Sequence, residues 1–486
     1  MSELVKKLEP KIIWNHFANL NAIPRPSKKE EQVIEFMMNF GKDLHLETFT
    51  DSVGNVIIRK PATKNFENRK TIVLQSHLDM VHQKNGTTIF DFDNEGIKML
   101  IEGDWVTADG TTLGADNGMG VAAIMSVLSS KKIQHPKIEA LFTIDEETGM
   151  TGAMGLEAGL LEGEILLNLD TEEDDEIGMG CAGGIDVTAT GKYPEGVTPQ
   201  KTIGFSITVK GLNGGHSGMD IHKGLGNANK IMNRLLFDGF SKFGLRISEI
   251  NGGSLRNAIP RESNAIIAID KISQKIFLRN IELLIAQIKN EFSTIEPNLT
   301  IEIQEIASPE KVMELNIQEN FIRAIYTSLN GVYRMSPTIS GLVETSNNIA
   351  KVTVQKGLIK VKCLIRSSSE SNKQDLTNSL KSAFELAGFE VELSGEYPGW
   401  QPNVNSKILE IVSNIYEDLH GEKAHVAACH AGLECGILGQ NYPKMDMVSF
   451  GPTILGAHSP DEKVSISSTQ KFWRFLQEIL KNIPKK

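Results

Sequence analysis

Cysteine is scarce in this chain. Cys181, Cys363, Cys429 and Cys435 are four in 486 residues, far too few for a disulfide scaffold. A thiolate zinc site would need a second pair beside Cys429, His430 and Cys435; none exists, so these read as buried thiols. Long apolar runs are missing as well. Without eighteen consecutive apolar residues no membrane-spanning helix is expected, and the polar stretch Met1–Pro10 lacks the apolar segment of a secretory signal. A reducing cytoplasm is the expected location. Basic blocks are absent, aromatics make up 6% of the chain and the net charge is −11. That excludes a nucleic-acid surface, because phosphates need a positive field to meet. No short-period repeat and no low-complexity tract is present. The acidic run Glu172–Glu176 reads as an exposed, solvated loop.

What is there is an ordinary globular composition, 40% apolar and 23% charged, in a chain too long for one compact core. Several apolar runs end abruptly in polar residues. Thr71–Ser76 runs into His77-Leu78-Asp79-Met80, Ile138–Ile144 into Asp145-Glu146-Glu147-Thr148-Gly149, and Glu164–Leu169 into Asp170. Gly114-Ala115-Asp116-Asn117-Gly118 precedes Val121–Leu128, whose small and apolar residues read as a buried helix. Short buried strands alternating with helices predict an α/β architecture. In such sheets ligands collect beyond the carboxyl ends of the strands, where these polar residues fall.

After Gly184 the texture changes. Ile203–Val209 alternates like a half-exposed strand and leads into Gly211-Leu212-Asn213-Gly214-Gly215-His216-Ser217-Gly218. Helical patterns near Leu225–Phe237, Gln274–Glu291 and Gln374–Leu386 mix with strand-like runs at Ala265–Asp270, Leu299–Glu305 and Leu358–Ile365. This predicts an α+β insert. From Tyr397 onward a helix (Lys407–Leu419), a strand (Met447–Phe450) and a helix (Thr469–Lys481) read as a return to the first domain. The expected division is 1–184 and 397–486 for a catalytic domain and 185–396 for the insert.

Taken together, His77, Asp116, Glu147, Asp170 and a late His458 offer two imidazoles and three carboxylates. Such a set can hold two divalent ions about 3.5–4 Å apart, one carboxylate bridging. Nitrogen and oxygen donors without thiolate favour zinc, cobalt or manganese. Each piece alone has a plainer reading: a structural histidine, a turn at Asp116-Asn117-Gly118, a solvated pair at Glu146-Glu147. Their order, each after an apolar run, shifts the balance towards a site.

The segments His77-Leu78-Asp79-Met80-Val81, Leu113–Gly118, Asp145–Gly149, Asn168-Leu169-Asp170 and His458-Ser459-Pro460-Asp461-Glu462 resemble the cocatalytic-zinc aminopeptidase-like family, which includes glutamate carboxypeptidase, aminoacylase, carnosinase and tripeptidase. The resemblance runs from Asn21-Ala22-Ile23-Pro24-Arg25 to His458. It implies a zinc-peptidase-like three-layer α/β catalytic domain interrupted by an α+β lid. It implies that His77 and Asp170 bind one metal, Glu147 and His458 the other, and that Asp116 bridges. Asp79 would orient His77 through its remaining ring nitrogen. Glu146 would be the general base, passing a proton from water held between the cations to the departing amine; Asp145 as base is the competing assignment.

His216 resembles the family's lid histidine and would steady the oxyanion. Asn257, in Gly252–Pro260, resembles a lid asparagine that touches substrate. Arg366 could pair with a substrate carboxylate, against a plain surface arginine. Glu434, in Ala431–Gly436, could hold a free substrate ammonium. Where many relatives carry Lys and Gly after the bridging aspartate, this chain has Asn117-Gly118-Met119-Gly120, which agrees with the dipeptidase subgroup. The expected activity is hydrolysis of unblocked dipeptides, those ending in histidine included. An N-acyl-amino-acid amidohydrolase or a tripeptidase is the alternative, and a non-catalytic scaffold is disfavoured because every catalytic position is filled. Short peptides are the expected partners, with no nucleic acid or membrane. A homodimer is the family-level expectation, with His216 acting within its own chain or across that dimer.

Overall fold

The computed structural model describes residues 2–486; Met1, the first residue of the polar N-terminal stretch and of the first expected domain, lies outside them. The chain divides into two compact units. One comprises the segments up to Gly180, Trp400–Ala428 and Leu433–Lys486; the other comprises Cys181–Gly399 and Cys429–Gly432.

The first unit is built on an eight-stranded mixed sheet. Its order is Glu47–Thr50, Val56–Lys60, Ile138–Thr143, Ile72–His77, Ile165–Asn168, Asp446–Ser449, Glu176–Cys181 and His425–Cys429. The four central strands run parallel, and Glu47–Thr50 with Val56–Lys60 forms an antiparallel margin. Ile72–His77, Ile138–Thr143 and Ile165–Asn168 are buried at every position, as parallel strands covered on both faces must be. Because these strands are parallel, their carboxyl ends share one edge of the sheet. His77, Asp145-Glu146-Glu147 and Asp170 all sit at that edge.

The helix expected over Val121–Leu128 spans Ala115–Ser129 and is buried all round from Asn117 to Leu128. Its lack of a polar face is what a fully enclosed helix shows. A side chain at Gly120 has no room: a Cβ there would stand 2.6 Å from the Leu169 carbonyl oxygen and closer still to Ser76 Oγ. The terminal helix Ile466–Asn482 is amphipathic. Its buried face carries Phe472, Phe475, Leu476, Ile479 and Leu480, and the Ser465 side chain caps it by accepting from Ser468 N–H, a contact worth about 1 kcal/mol.

The second unit is α+β. Its antiparallel sheet runs Thr300–Ile306, Thr202–Lys210, Ser263–Asp270, Arg246–Gly252, Val343–Gln355, Leu358–Ser367, Gly183–Lys192, Glu390–Tyr397, with Gly331–Met335 paired onto Val343–Gln355. Alternation sets the register: Phe205, Ile207 and Val209 face the core opposite Ile267, Ala265 and Ser263. Leu235, Leu236, Phe277, Ile281, Phe321 and Phe384 complete that core from the helices Ala228–Phe243, Gln274–Phe292, Leu315–Thr327 and Glu370–Leu386. The helix expected from Leu225 starts instead at Ala228, because the Asn227 side chain accepts from Asn229 and Lys230 N–H and fixes the start there. It ends at Gly244, in the left-handed conformation at φ 63°.

No helix among the described residues is long and apolar enough to cross a membrane.

Candidate metal centre and active site

In the first unit the five candidate ligands meet. Asp116 Oδ1 lies 3.2 Å from His77 Nε2, and its Oδ2 lies 3.2 Å from His458 Nε2. Asp170 Oδ1 is 3.5 Å from His77 Nε2, and Glu147 Oε2 is 3.0 Å from His458 Nε2. Two triads result, His77–Asp116–Asp170 and Asp116–Glu147–His458, each with its donor atoms within 4.8 Å of one another. Asp116 belongs to both. Glu146 lies in a third such group with His77 and Glu147, so proximity alone does not separate a base from a ligand here. The Asn117 side chain donates to the Leu169 carbonyl at 2.7 Å and to Asp170, holding the Asp116 and Asp170 loops together.

Other buried charges position these loops. Asp79, wholly buried, has its main-chain oxygen 3.1 Å from His77 Nδ1 and its Oδ1 3.4 Å from the same atom. The same carboxylate accepts from Glu146 N–H at 3.0 Å, Glu147 N–H at 3.3 Å and the Ser27 hydroxyl at 2.8 Å. It therefore holds the Glu146-Glu147 turn as well as the His77 imidazole. Glu30, also buried, takes Asp145 N–H at 3.2 Å, at a residue in the left-handed region with φ 51°. Arg25 donates to the Leu78, Asp79 and Gly114 carbonyls. Glu462 accepts from four successive N–H groups, Leu113 to Asp116. Arg25 and Glu462 stand inside recognisable sequence segments, but nothing in their residue type announces burial.

The electrostatics fit a pair of cations. Burial opposes charge on Asp116, yet hydrogen bonds from His458 and His77 hold its carboxyl well below the usual range. Hydrogen bonds from Asp116 and Glu147 push His458 up to about 11. His77, despite burial, is raised well above the usual imidazole value by Asp170 and Asp116. The imidazoles thus stand in as the positive charges that this carboxylate cluster demands. Glu147 also keeps a buried oxygen, Oε1, with no hydrogen-bond partner, an acceptor that a cation would satisfy. The donors are nitrogen and oxygen, as hard or borderline divalent ions require. Burial and the neighbouring Asp116 charge raise the Glu462 carboxyl against the pull of its N–H donors.

Glu146 is half-buried. Burial, then the charges of Asp170, Glu434 and Glu147, raise its pKa well above the usual carboxylate value despite the opposing pull of His77. That is the direction a general base needs. Two expectations need correction. Glu434 does not face an open cavity: it is wholly buried, and its Oε2 accepts from Gln75 Nε2 and Thr143 Oγ1, both at 2.6 Å. Burial pushes it up to about 8. The other oxygen, Oε1, is buried without a hydrogen-bond partner, so any ammonium it met would have to be enclosed rather than held at the surface. Nor is the acidic run after Asp170 uniformly solvated. Glu172 is half-buried, and Asp174 pairs with Lys471 at 2.9 Å.

In the second unit His216, Asn257 and Arg366 come together. Gly215-His216 pairs antiparallel with Ala258-Ile259, and the Asn257 carbonyl accepts from Ser217 N–H at 2.7 Å, leaving the Asn257 side chain exposed. Arg366 is 5% exposed, not a surface arginine. Its nitrogens reach Tyr397 Oη at 2.9 Å, His216 Nε2 at 3.3 Å and Ser217 Oγ at 3.4 Å. None of these partners is a carboxylate, so the guanidinium keeps its charge available for an anion. Gly218 and Met219 N–H donate to His216 Nδ1. Burial, helped by Arg366, lowers His216 to about 4, so the imidazole is neutral near pH 7.

Comparison with known proteins agrees with the resemblance drawn from the motifs. The profile of peptidase family M20/M25/M40 matches residues 73–482. The cytosol non-specific dipeptidase of Escherichia coli (strain K12) is 45% identical, with all of both chains covered. The crystal structure of aminoacylhistidine dipeptidase from Vibrio alginolyticus superposes with a TM-score of 0.94 at 46% identity, again over the full length of both chains. The aminopeptidase PepT of Bacillus cereus, 17% identical, shares the fold at a TM-score of 0.57, with 98% of this chain and 99% of that one covered.

Proposed function

The chain belongs to peptidase family M20/M25/M40, and from that membership we propose that it is a metal-dependent dipeptidase of broad specificity. Its substrates are unblocked dipeptides, those ending in histidine included. The observation that carries this reading is the Asp116 carboxylate, which faces one imidazole with each oxygen and belongs to two donor triads. His77, Asp116 and Asp170 would hold one divalent ion, and Asp116, Glu147 and His458 a second. Zinc is proposed, with cobalt or manganese as alternatives for the same donors. Bound there, the ions would supply Lewis acidity, acidifying water and polarising the scissile carbonyl.

The chain's own groups do the rest. Glu146, its carboxyl raised by burial, takes the proton of the attacking water and delivers it to the departing amine nitrogen, which leaves poorly unprotonated. Asp79 fixes Glu146 through its N–H and orients His77. In the second unit, read as a lid spanning roughly 185–396, Arg366 seats the terminal carboxylate with Tyr397 and Ser217 beside it. His216 donates a hydrogen bond to the developing oxyanion, and Asn257 contacts the peptide. The name of the Escherichia coli relative supports a cytoplasmic site of action, and a homodimer is proposed from the family.

The test is metal analysis of purified protein coupled to a panel of dipeptides beside their N-acetylated counterparts and matching tripeptides. Two equivalents per chain are expected, with activity on free dipeptides lost to a chelator and restored by zinc, cobalt or manganese. Preference for the acetylated compounds would establish the amidohydrolase reading instead, and preference for tripeptides the tripeptidase one.

A further inference from the structure

Glu462 lies four residues beyond His458, and its side chain is 2% exposed. Oε2 accepts from Leu113 N–H at 2.7 Å and Gly114 N–H at 2.9 Å, while Oε1 accepts from Ala115 N–H at 2.7 Å and Asp116 N–H at 3.2 Å. Four consecutive backbone donors, in the turn that leads into the helix and where Asp116 and Asn117 still have non-helical backbone, therefore converge on one carboxylate. Gly114, at φ 69°, bends the chain so that they can. On the other side of the same loop Arg25 takes the Gly114 carbonyl at 2.5 Å and the Leu78 carbonyl at 3.0 Å. The loop bearing Asp116 is gripped by a buried anion and a buried cation at once.

His458 needs such a grip. Its side chain is 54% exposed, against 12% for Asp116 and 4% for Glu147. Its backbone sits at φ 63°, and its loop is closed by short-range bonds, Ser459 N–H to Gly456 O and Glu462 N–H to Ser459 O. The loop spans the hairpin Ile454–Leu455 and Lys463–Ser465, whose second strand pairs with Trp105–Ala108, and the Glu462 carboxylate joins it to the backbone of the Asp116 loop.

We propose that Glu462 is a positioning residue that staples the His458 loop to the Asp116 loop and so pre-assembles the donors of the second cation, Asp116, Glu147 and His458. The role rests on the two-metal reading above. It predicts that Glu462 governs chiefly the affinity of the equivalent that depends on His458, and affects far less the other, which shares Asp116 but keeps His77 and Asp170 from the strand edge. A carboxamide cannot substitute, because its single oxygen serves two N–H groups while its NH2 faces the other two.

The test titrates zinc into metal-stripped wild type, Glu462→Gln, Glu462→Asp and His458→Ala in competition with a chromophoric chelator. Kinetics and apoprotein melting temperatures are measured alongside. Wild type should bind two equivalents. Glu462→Gln should bind one about 10–100-fold more weakly and the other with a much smaller loss, in the pattern of His458→Ala. Its kcat should fall with little change in KM and recover at excess metal. Glu462→Asp, which keeps the charge with a shorter reach, should fall between and covers the case in which the glutamine variant does not fold. Unchanged affinity for both equivalents in the Gln and Asp variants would overturn the staple and leave the two-metal reading standing. Equal weakening of both equivalents with a lowered apoprotein melting temperature would mark Glu462 as a general fold element and also overturn it. Fewer than two equivalents in wild type would remove the two-metal reading, and the staple with it.

Discussion

Asp116 and His458 are 342 positions apart in the chain and 3.2 Å apart in space, and the oxygen of Asp116 that His458 does not face stands 3.2 Å from His77. One short carboxylate joins a proposed ligand from the strand edge, His77, to another from near the end of the chain, His458. Replacing it by asparagine leaves a single acceptor oxygen between two metal positions. Asp116→Asn should lower metal content from two equivalents to one or fewer and abolish turnover, as read by metal analysis and dipeptide hydrolysis on one preparation.

Glu146→Gln should behave differently. The proposed base is not a proposed ligand, so metal content and KM should stay near wild type while kcat falls about 10²–10⁴-fold. A variant that loses metal instead would move Glu146 into the ligand set, where its closeness to His77 and Glu147 leaves room for it.

Metal uptake should release protons. In the metal-free protein His458 is pushed up to about 11 by Asp116 and Glu147, so at pH 7–8 it holds a proton that a cation must displace; His77 is shifted in the same direction, against its burial, by Asp170 and Asp116. Calorimetric titrations of zinc into apoprotein, repeated in buffers of different ionisation enthalpy, should show net proton release. Apparent affinity should weaken as pH falls. Heats independent of the buffer would contradict the charge state assigned here.

Glu434 gives a stability prediction. Its folded pKa, about 8, lies above the ordinary 4.5 because of burial, so the folded state keeps a proton that the unfolded chain gives up as pH rises between those values. Wild-type stability should therefore decline across that window. Glu434→Gln, with an oxygen that can still accept from Gln75 and Thr143, should lose this component. Melting temperatures of the two proteins compared from pH 5 to pH 8 should diverge in favour of the variant.

Arg366→Lys tests the carboxylate seat. Lysine cannot reach Ser217, Tyr397 and His216 as the planar fork does, and a charged hydrogen bond is worth about 1.5–3 kcal/mol. KM for dipeptides should rise about 10–100-fold, with a smaller change in kcat. Dipeptide amides, which lack the carboxylate, should be cleaved about equally by both proteins.

Much of the first unit was legible in the chain itself. Runs such as Thr71–Ser76 and Ile138–Ile144, apolar at nearly every position and ending in charge, are the signature of buried parallel strands, and the candidate donors stand where those runs stop. The long strand Val343–Gln355 was not legible. Its segment Glu344-Thr345-Ser346-Asn347-Asn348 is polar, and it is tolerated indoors because distant groups satisfy it: Ser367 meets Thr345, and the Leu329 and Ala258 carbonyls take the Asn347 and Asn348 amides.

By itself the sequence determined the donor types, their order and the strand edges that carry them, because residue chemistry and hydrophobic period are local properties. The tertiary structure decided which charges are enclosed. Glu434 was withdrawn from the substrate side, Arg366 was taken off the surface, and Arg25 and Glu462 were recruited to brace a loop. Burial and hydrogen-bond partners come from segments hundreds of positions apart, and no local pattern encodes them.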